Sequence, residues 1–192
     1  MSDACASSVH PHTLRLGNTA LLIVDMQEAF RPAVIDFDAI AARIATLVQG
    51  CKLLDVPILA TEQVPEKLGR TASSVLGALP PTTPIIDKTA FSCCGAAAFL
   101  DQLAATRCRQ ILVAGLETHI CVNQTVHDLL AADYQVHLLT DCLTSRTETN
   151  RQTALAKMQS SGALPSSIEL ALFELMRDAK HEQFRAVSKL IK

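Results

Sequence analysis

Residues 20–30 read ALLIVDMQEAF, and residues 111–122 read ILVAGLETHICV. In both, a continuous apolar run breaks abruptly into polar residues. Short runs without polar alternation suit strands covered on both faces. Residues 83–91, TPIIDKTAF, repeat the pattern. Asp25, Lys88 and Cys121 stand just past these runs. An open parallel sheet binds ligands along the edge that holds the C-termini of its strands. An acid, a cation and a thiol on that edge point to nucleophilic chemistry rather than to three unrelated polar residues.

Outward from these runs, apolar stretches alternate with helical patterns. Strands are predicted at 20–24, 57–61, 84–87, 110–114 and 136–140. Between them, helices are predicted at 36–54, 96–106, 122–132 and 150–160. Residues 63–81 read as loop, with Pro65, Gly69, Gly77 and the Pro80–Pro81 pair. Ser166 and Ser167 are N-cap candidates for a helix over 168–176, and residues 181–191 close the chain as another. This alternation predicts an α/β fold: a three-layer, doubly wound (Rossmann-like) sheet of five to six mainly parallel strands with helices on both faces. Residues 1–18 read as a flexible N-terminal arm, and 19–192 as a single domain.

Composition narrows the function. Hydrophobic residues make up 49% of the chain and aromatics 4%, so the core must be aliphatic. The formal net charge of −2 offers no field for a phosphate backbone, which argues against nucleic-acid partners. No apolar run approaches bilayer-spanning length, and the opening MSDACASSVHPH has neither half of a signal peptide. Seven cysteines, an odd number with no CxxC, fit a reducing cytoplasm better than a disulfide framework or zinc site. The turn after the first strand carries neither GxGxxG nor a P-loop, so no nucleotide cofactor is expected.

Each candidate residue has an ordinary reading beside its chemical one. Cys121 falls in the first turn of a predicted helix that Thr118 could cap. The helix dipole and unpaired N–H groups there favour thiolate, yet buried cysteines are common as packing. Asp25 could take the thiol proton, or simply bond the following loop. Lys88 would hold both partners in their charged forms, or face solvent. Phe30 and Phe91 could wall an apolar pocket or belong to the core. His119 suggests a Cys/His dyad, although a pocket-lining or surface role serves as well.

In order and spacing, DMQEAF, DKTAFS and GLETHICVNQT resemble the isochorismatase-like cysteine hydrolases, a family that includes nicotinamidases and N-carbamoyl amidases. TEQVPEKLGRT, KTAFSCCG and the tail HEQFRAVSKLIK are closest to the branch of isochorismatase domain-containing proteins. The resemblance implies that Cys121 attacks an electrophilic carbon, Asp25 handles its proton and Lys88 orders the pair. It implies a cis peptide between Leu116 and Glu117, with the amides of Glu117 and Cys121 as oxyanion donors. Gln27, Glu62 and Gln63 become substrate-pocket candidates, together with Leu116, Thr118 and the residues already named. Family nicotinamidases bind a metal through an Asp-x-His pair and a further His. Here Thr61-Glu62-Gln63 fills that place and no His lies between His12 and His119, so a metal-independent enzyme is expected. A homo-oligomer, dimer or larger, is the family's common form.

The expected function is therefore hydrolysis of a small-molecule amide, carbamoyl or related C–N bond through a Cys-Asp-Lys triad and a thioester. The alternatives are a non-hydrolytic binding or thiol-redox module on the same fold, or isochorismatase-type ether hydrolysis. The last is weaker because a vinyl ether has no acyl carbon.

Overall fold

A computed structural model describes residues 9–192. Its sheet has six strands in the order β3-β2-β1-β4-β5-β6. These are β1 (Thr19–Val24), β2 (Ile58–Gln63), β3 (Ile85–Lys88), β4 (Gln110–Gly115), β5 (Gln135–Leu143) and β6 (Leu164–Ser166). Every neighbouring pair is parallel. This is the doubly wound order, whose direction of winding reverses between β1 and β4. The expected fold is present, with β6 added to the strands read from sequence. Only three residues long, β6 is too brief to show a period.

Strand pleating sorts the core into two layers. Leu21 and Ile23 of β1 join the cluster formed with α1 (Phe37–Leu53), α7 (Ile168–Met176) and α8 (Phe184–Ile191). Ala20, Leu22 and Val24 face the other cluster, with α4 (Ala97–Thr106), α5 (Asn123–Ala131) and α6 (Glu148–Ser160). All six residues of β1 and of β4 are buried. That burial explains why their sequences run apolar without alternation.

Local chemistry moves several boundaries. The stretch expected to be loop holds two short helices, α2 (Pro65–Leu68) and α3 (Ser73–Leu76). Pro65 opens the first of them, where its missing N–H costs nothing. Helix α6 starts two residues before the expected Asn150, because the Thr147 hydroxyl accepts from the Asn150 amide as an N-cap. Ser167, rather than Ser166, caps α7 by accepting from Leu170.

The expected N-terminal arm needs a partial correction. Residues 1–8 lie outside the described residues. Further on, Leu14 is fully buried in the first core cluster. The Gln110 side chain brackets it, accepting from the Arg15 amide and donating to the Thr13 carbonyl. Gln135 donates to the Pro11 carbonyl. One apolar residue and two amide side chains thus tie residues 11–15 across β4 and β5.

Beneath this strap lies His137, 3% exposed. Burial first, and then His12, push its pKa down from 6.5 to about 4. The unfolded chain therefore takes up the proton before the folded one does. Stability is expected to hold above pH 6.5 and to fall between pH 6.5 and 4, by roughly 3 kcal/mol in all. Urea unfolding of His137→Gln across this range should show a flatter profile than the parent. An identical acid slope in the two proteins would rule out His137 as its source.

Candidate active site

Asp25 follows β1 immediately and takes a left-handed backbone, φ 50°. Lys88 is the last residue of β3. Cys121 sits in a π-helical turn, Thr118–Val122, between β4 and α5. The acid and the thiol thus flank the reversal point of the sheet, and the lysine reaches in past β2. Gly115 makes this convergence possible. Its φ is +137°, and a Cβ there would lie 2.1 Å from the Val24 carbonyl oxygen. Only glycine lets the end of β4 come so close to the residue before Asp25.

The carboxylate and ammonium form a buried ion pair. Lys88 Nζ lies 2.7 Å from Asp25 Oδ2, and the two side chains are 0% and 1% exposed. Yet Lys88 directs its hydrogen bonds elsewhere: to Gln63 Oε1 at 2.5 Å, to the Phe91 carbonyl at 2.9 Å and to the Ala90 carbonyl at 3.2 Å. An ammonium has three donors, and three carbonyl oxygens take them. Asp25 Oδ1 accepts from the Thr61 hydroxyl at 2.7 Å, and Oδ2 faces Lys88 with no further partner among the described residues. Asp25 also lies close enough to the Cys121 thiol to be among the causes of its raised pKa.

Cys121 is 4% exposed. Its thiol is pushed up to about 12, by burial first and by the Asp25 charge next, with Lys88 opposing. This differs from the expectation that the turn and the lysine would favour thiolate. Desolvation penalises the anion more than one nearby cation relieves it. Burial thus favours the neutral thiol over the thiolate. A second thiol, Cys93, lies 3.6 Å from the Thr61 hydroxyl and is likewise pushed up to about 12, chiefly by burial. Its amide donates to Thr125 Oγ1, whose hydroxyl donates to the Cys121 carbonyl. Sequence reading gave Cys93, Thr61 and Thr125 no part here. Cys93 and Cys94 are adjacent in sequence, but only the fold shows that the first of them lies behind Asp25.

The implied cis peptide is not found: all peptide bonds among the described residues are trans. The turn is made instead by positive φ at Gly115 (137°) and Glu117 (54°). Several pocket candidates have their polar atoms committed inside the protein. The Gln27 side chain accepts from the Gln63 amide and donates to the Gln63 and Gly69 carbonyls. Gln63 accepts from Lys88 and donates to the Thr89 carbonyl. Glu62, 1% exposed, accepts from the Thr71 amide and hydroxyl and from Arg70. Leu116 is fully buried in the core. Thr118, expected as an N-cap, donates its hydroxyl to the Thr144 carbonyl instead. Phe30 is half-buried against the first core cluster. Phe91 is 54% exposed and lends its carbonyl to Lys88. His119 is half-buried, with Nδ1 3.1 Å from Ser145 Oγ.

Cavity size does not single out this site. A cavity of about 680 Å³ opens at the opposite end of the sheet, against Pro57, Ile58 and Pro84. One of about 320 Å³ borders Lys88, between Val64–Glu66 and Ala96–Ala98. Neither is lined by Asp25 or Cys121. The chemistry of the side chains, rather than volume, marks the place. Among the described residues no group of three or more His, Cys, Asp or Glu is arranged to hold a metal ion. No helix of the described residues is long and apolar enough to cross a membrane.

Comparison with known proteins shows the family. A family model described as the isochorismatase domain matches residues 19–169. Mouse isochorismatase domain-containing protein 2A is 39% identical, over 91% of this chain and 83% of its own. The secreted isochorismatase effector Isc1 of Phytophthora sojae is 36% identical, over 94% and 90%. The solved structure of MAR1 ribonuclease from Caenorhabditis elegans superposes with a TM-score of 0.89 at 34% identity, covering 93% of this chain and 92% of that one. With three curated or solved relatives above 30% identity and a domain model spanning the site, the chain belongs to the isochorismatase domain family of hydrolases.

Proposed function

We propose that this protein is a cysteine hydrolase that cleaves an amide, carbamoyl or related C–N bond of a small molecule. The observation that carries the reading is the buried Asp25–Lys88 pair beside a 4% exposed Cys121, with Asp25 among the causes of the raised thiol pKa. Cys121 sulfur attacks the carbonyl carbon as its proton passes to Asp25 Oδ2. Backbone amides of the nucleophile turn, those of Glu117 and Cys121, hold the oxyanion. The tetrahedral adduct collapses and the C–N bond breaks. The leaving amine or ammonia carries off the proton from Asp25, and a thioester remains. Asp25 then deprotonates water, which attacks the thioester and returns the thiol. Lys88, 2.7 Å from Asp25 Oδ2, holds the carboxylate in place between these transfers. A homo-oligomer and cytoplasmic residence go with this reading, the latter in keeping with six free cysteines among the described residues.

Intact-mass spectrometry after mixing with small amides, ureas and carbamoyl compounds tests it. An added mass equal to the acyl fragment, mapped to Cys121, is the expected result. The reading is wrong if a verified amide is turned over without such an adduct.

The name of the Phytophthora relative supports a second reading, isochorismatase-type ether hydrolysis. A vinyl ether is opened by protonation and water addition, so Asp25 would act as acid and no Cys121 adduct would form. The name of the C. elegans relative, a ribonuclease, adds RNA to the panel. RNA cleavage likewise proceeds without an acyl adduct, and the net charge of −2 gives a polyanion no attraction.

A further inference from the structure

Glu117 begins the nucleophile turn, with φ 54° and ψ 54°. Its side chain is only 4% exposed, and Arg146 clamps it from the surface. Arg146 Nη2 lies 2.8 Å from Oε2 and Nε lies 3.2 Å from Oε1, a two-pronged contact. The flanking residues hold the same turn. The Thr144 carbonyl accepts from both the amide and the hydroxyl of Thr118, at 3.1 and 2.8 Å. Ser145 Oγ meets His119 Nδ1 at 3.1 Å. Residues 144–146 therefore grip residues 117–119 one by one. The grip is anchored behind, where the Ile35 amide donates to the Ser145 carbonyl and the Thr144 hydroxyl donates to the Ile35 carbonyl.

Meanwhile the amide N–H of Glu117 donates to no acceptor among the described residues. A glutamate in a left-handed conformation at a buried turn is unfavourable on two counts, backbone and charge. A bidentate guanidinium relieves the second and fixes the direction of the first.

We infer that Arg146 is a positioning residue: its paired contact with Glu117 holds the turn so that the Glu117 amide points at the oxyanion formed when Cys121 attacks. The inference rests on the hydrolase reading above and adds a residue outside the Cys-Asp-Lys set. Arg146 touches neither the sulfur nor the acid. Its influence should appear only in reactions that build an oxyanion.

Two reagents separate those cases. p-Nitrophenyl acetate acylates a thiol through a tetrahedral oxyanion, with p-nitrophenolate leaving. Iodoacetamide alkylates the same sulfur by displacement of iodide and forms none. Arg146→Ala is expected to slow acylation of Cys121 at least about tenfold, part of the 10²–10³ that an oxyanion donor supplies. Alkylation should stay within about twofold of the parent. Arg146→Lys, a cation without the fork, should fall between. If Arg146→Ala does not fold, Glu117→Gln loosens the same contact from its other end and should give the same split. Unchanged acylation, or a parallel fall in both reactions, overturns the inference while leaving the hydrolase reading intact. A parent protein that is alkylated but never acylated at Cys121 overturns both.

Discussion

Asp25→Asn is expected to cut amide turnover by about 10²–10⁴-fold, the range of a lost general acid–base group, while making Cys121 easier to ionise. The two effects have opposite signs because, in the proposed mechanism, Asp25 plays opposite parts at rest and in reaction. At rest its charge is the second cause, after burial, of the raised Cys121 pKa, and Lys88 is the opposing influence. Asparagine removes that charge and leaves Lys88 to act on the thiol alone, so the pH midpoint of Cys121 alkylation should move down from about 12. In reaction, however, Asn cannot take the proton or return it to the leaving amine. Asn still offers an oxygen to the Thr61 hydroxyl, which helps the fold survive. A buried Lys88 without its counter-charge should nonetheless cost about 3–5 kcal/mol, so thermal melting must accompany the kinetics. Turnover at the parent rate would remove Asp25 from the mechanism. A midpoint that moves up would contradict the electrostatics.

Gly115→Ala should be more damaging still to the structure. Its Cβ would lie 2.1 Å from Val24 O, 2.7 Å from Val24 N and 2.9 Å from Val24 C. These are backbone atoms at the C-terminal end of the β1–β4 pair, and Val24 is registered directly opposite Gly115. No flexible side chain can yield. The strands must separate at the place where Asp25 and the nucleophile turn meet, and alanine must also adopt φ +137°. Strained backbone of this kind costs about 1–3 kcal/mol by itself. With the clash, a loss above about 4 kcal/mol is expected, a large share of the roughly 5–15 kcal/mol that holds a domain folded. Urea or thermal unfolding measures it directly. A variant within about 1 kcal/mol of the parent would mean that β1 and β4 part more easily than their packing suggests.

Much of this was visible in the chain. Buried parallel strands must be apolar on both faces, so ALLIV and ILVA announce themselves without a partner in view. Punctuation by Asp25, Lys88 and Cys121 then follows from where such strands end. Other parts were not legible. Thr61 lies inside a fully buried strand, and nothing in ILATEQ shows that its hydroxyl supports Asp25. Gln27 and Gln63 looked free to meet substrate, because a sequence does not show which amide side chains are already spoken for. Leu14 looked like part of an arm, since Leu14 and Leu16 among polar residues are too few to show a period. Arg146 stands 29 residues from Glu117, and only the fold makes them neighbours.

By itself, then, the sequence determined the layered α/β fold and the three residues at the strand ends, because burial and chain direction leave their mark locally in residue type and spacing. Tertiary structure alone decided the electrical state of that site. Burial outweighs Lys88 at the Cys121 thiol, and three carbonyls compete with Asp25 for the Lys88 donors. Desolvation and hydrogen-bond competition depend on groups distant in the chain, and no local pattern of residues encodes them.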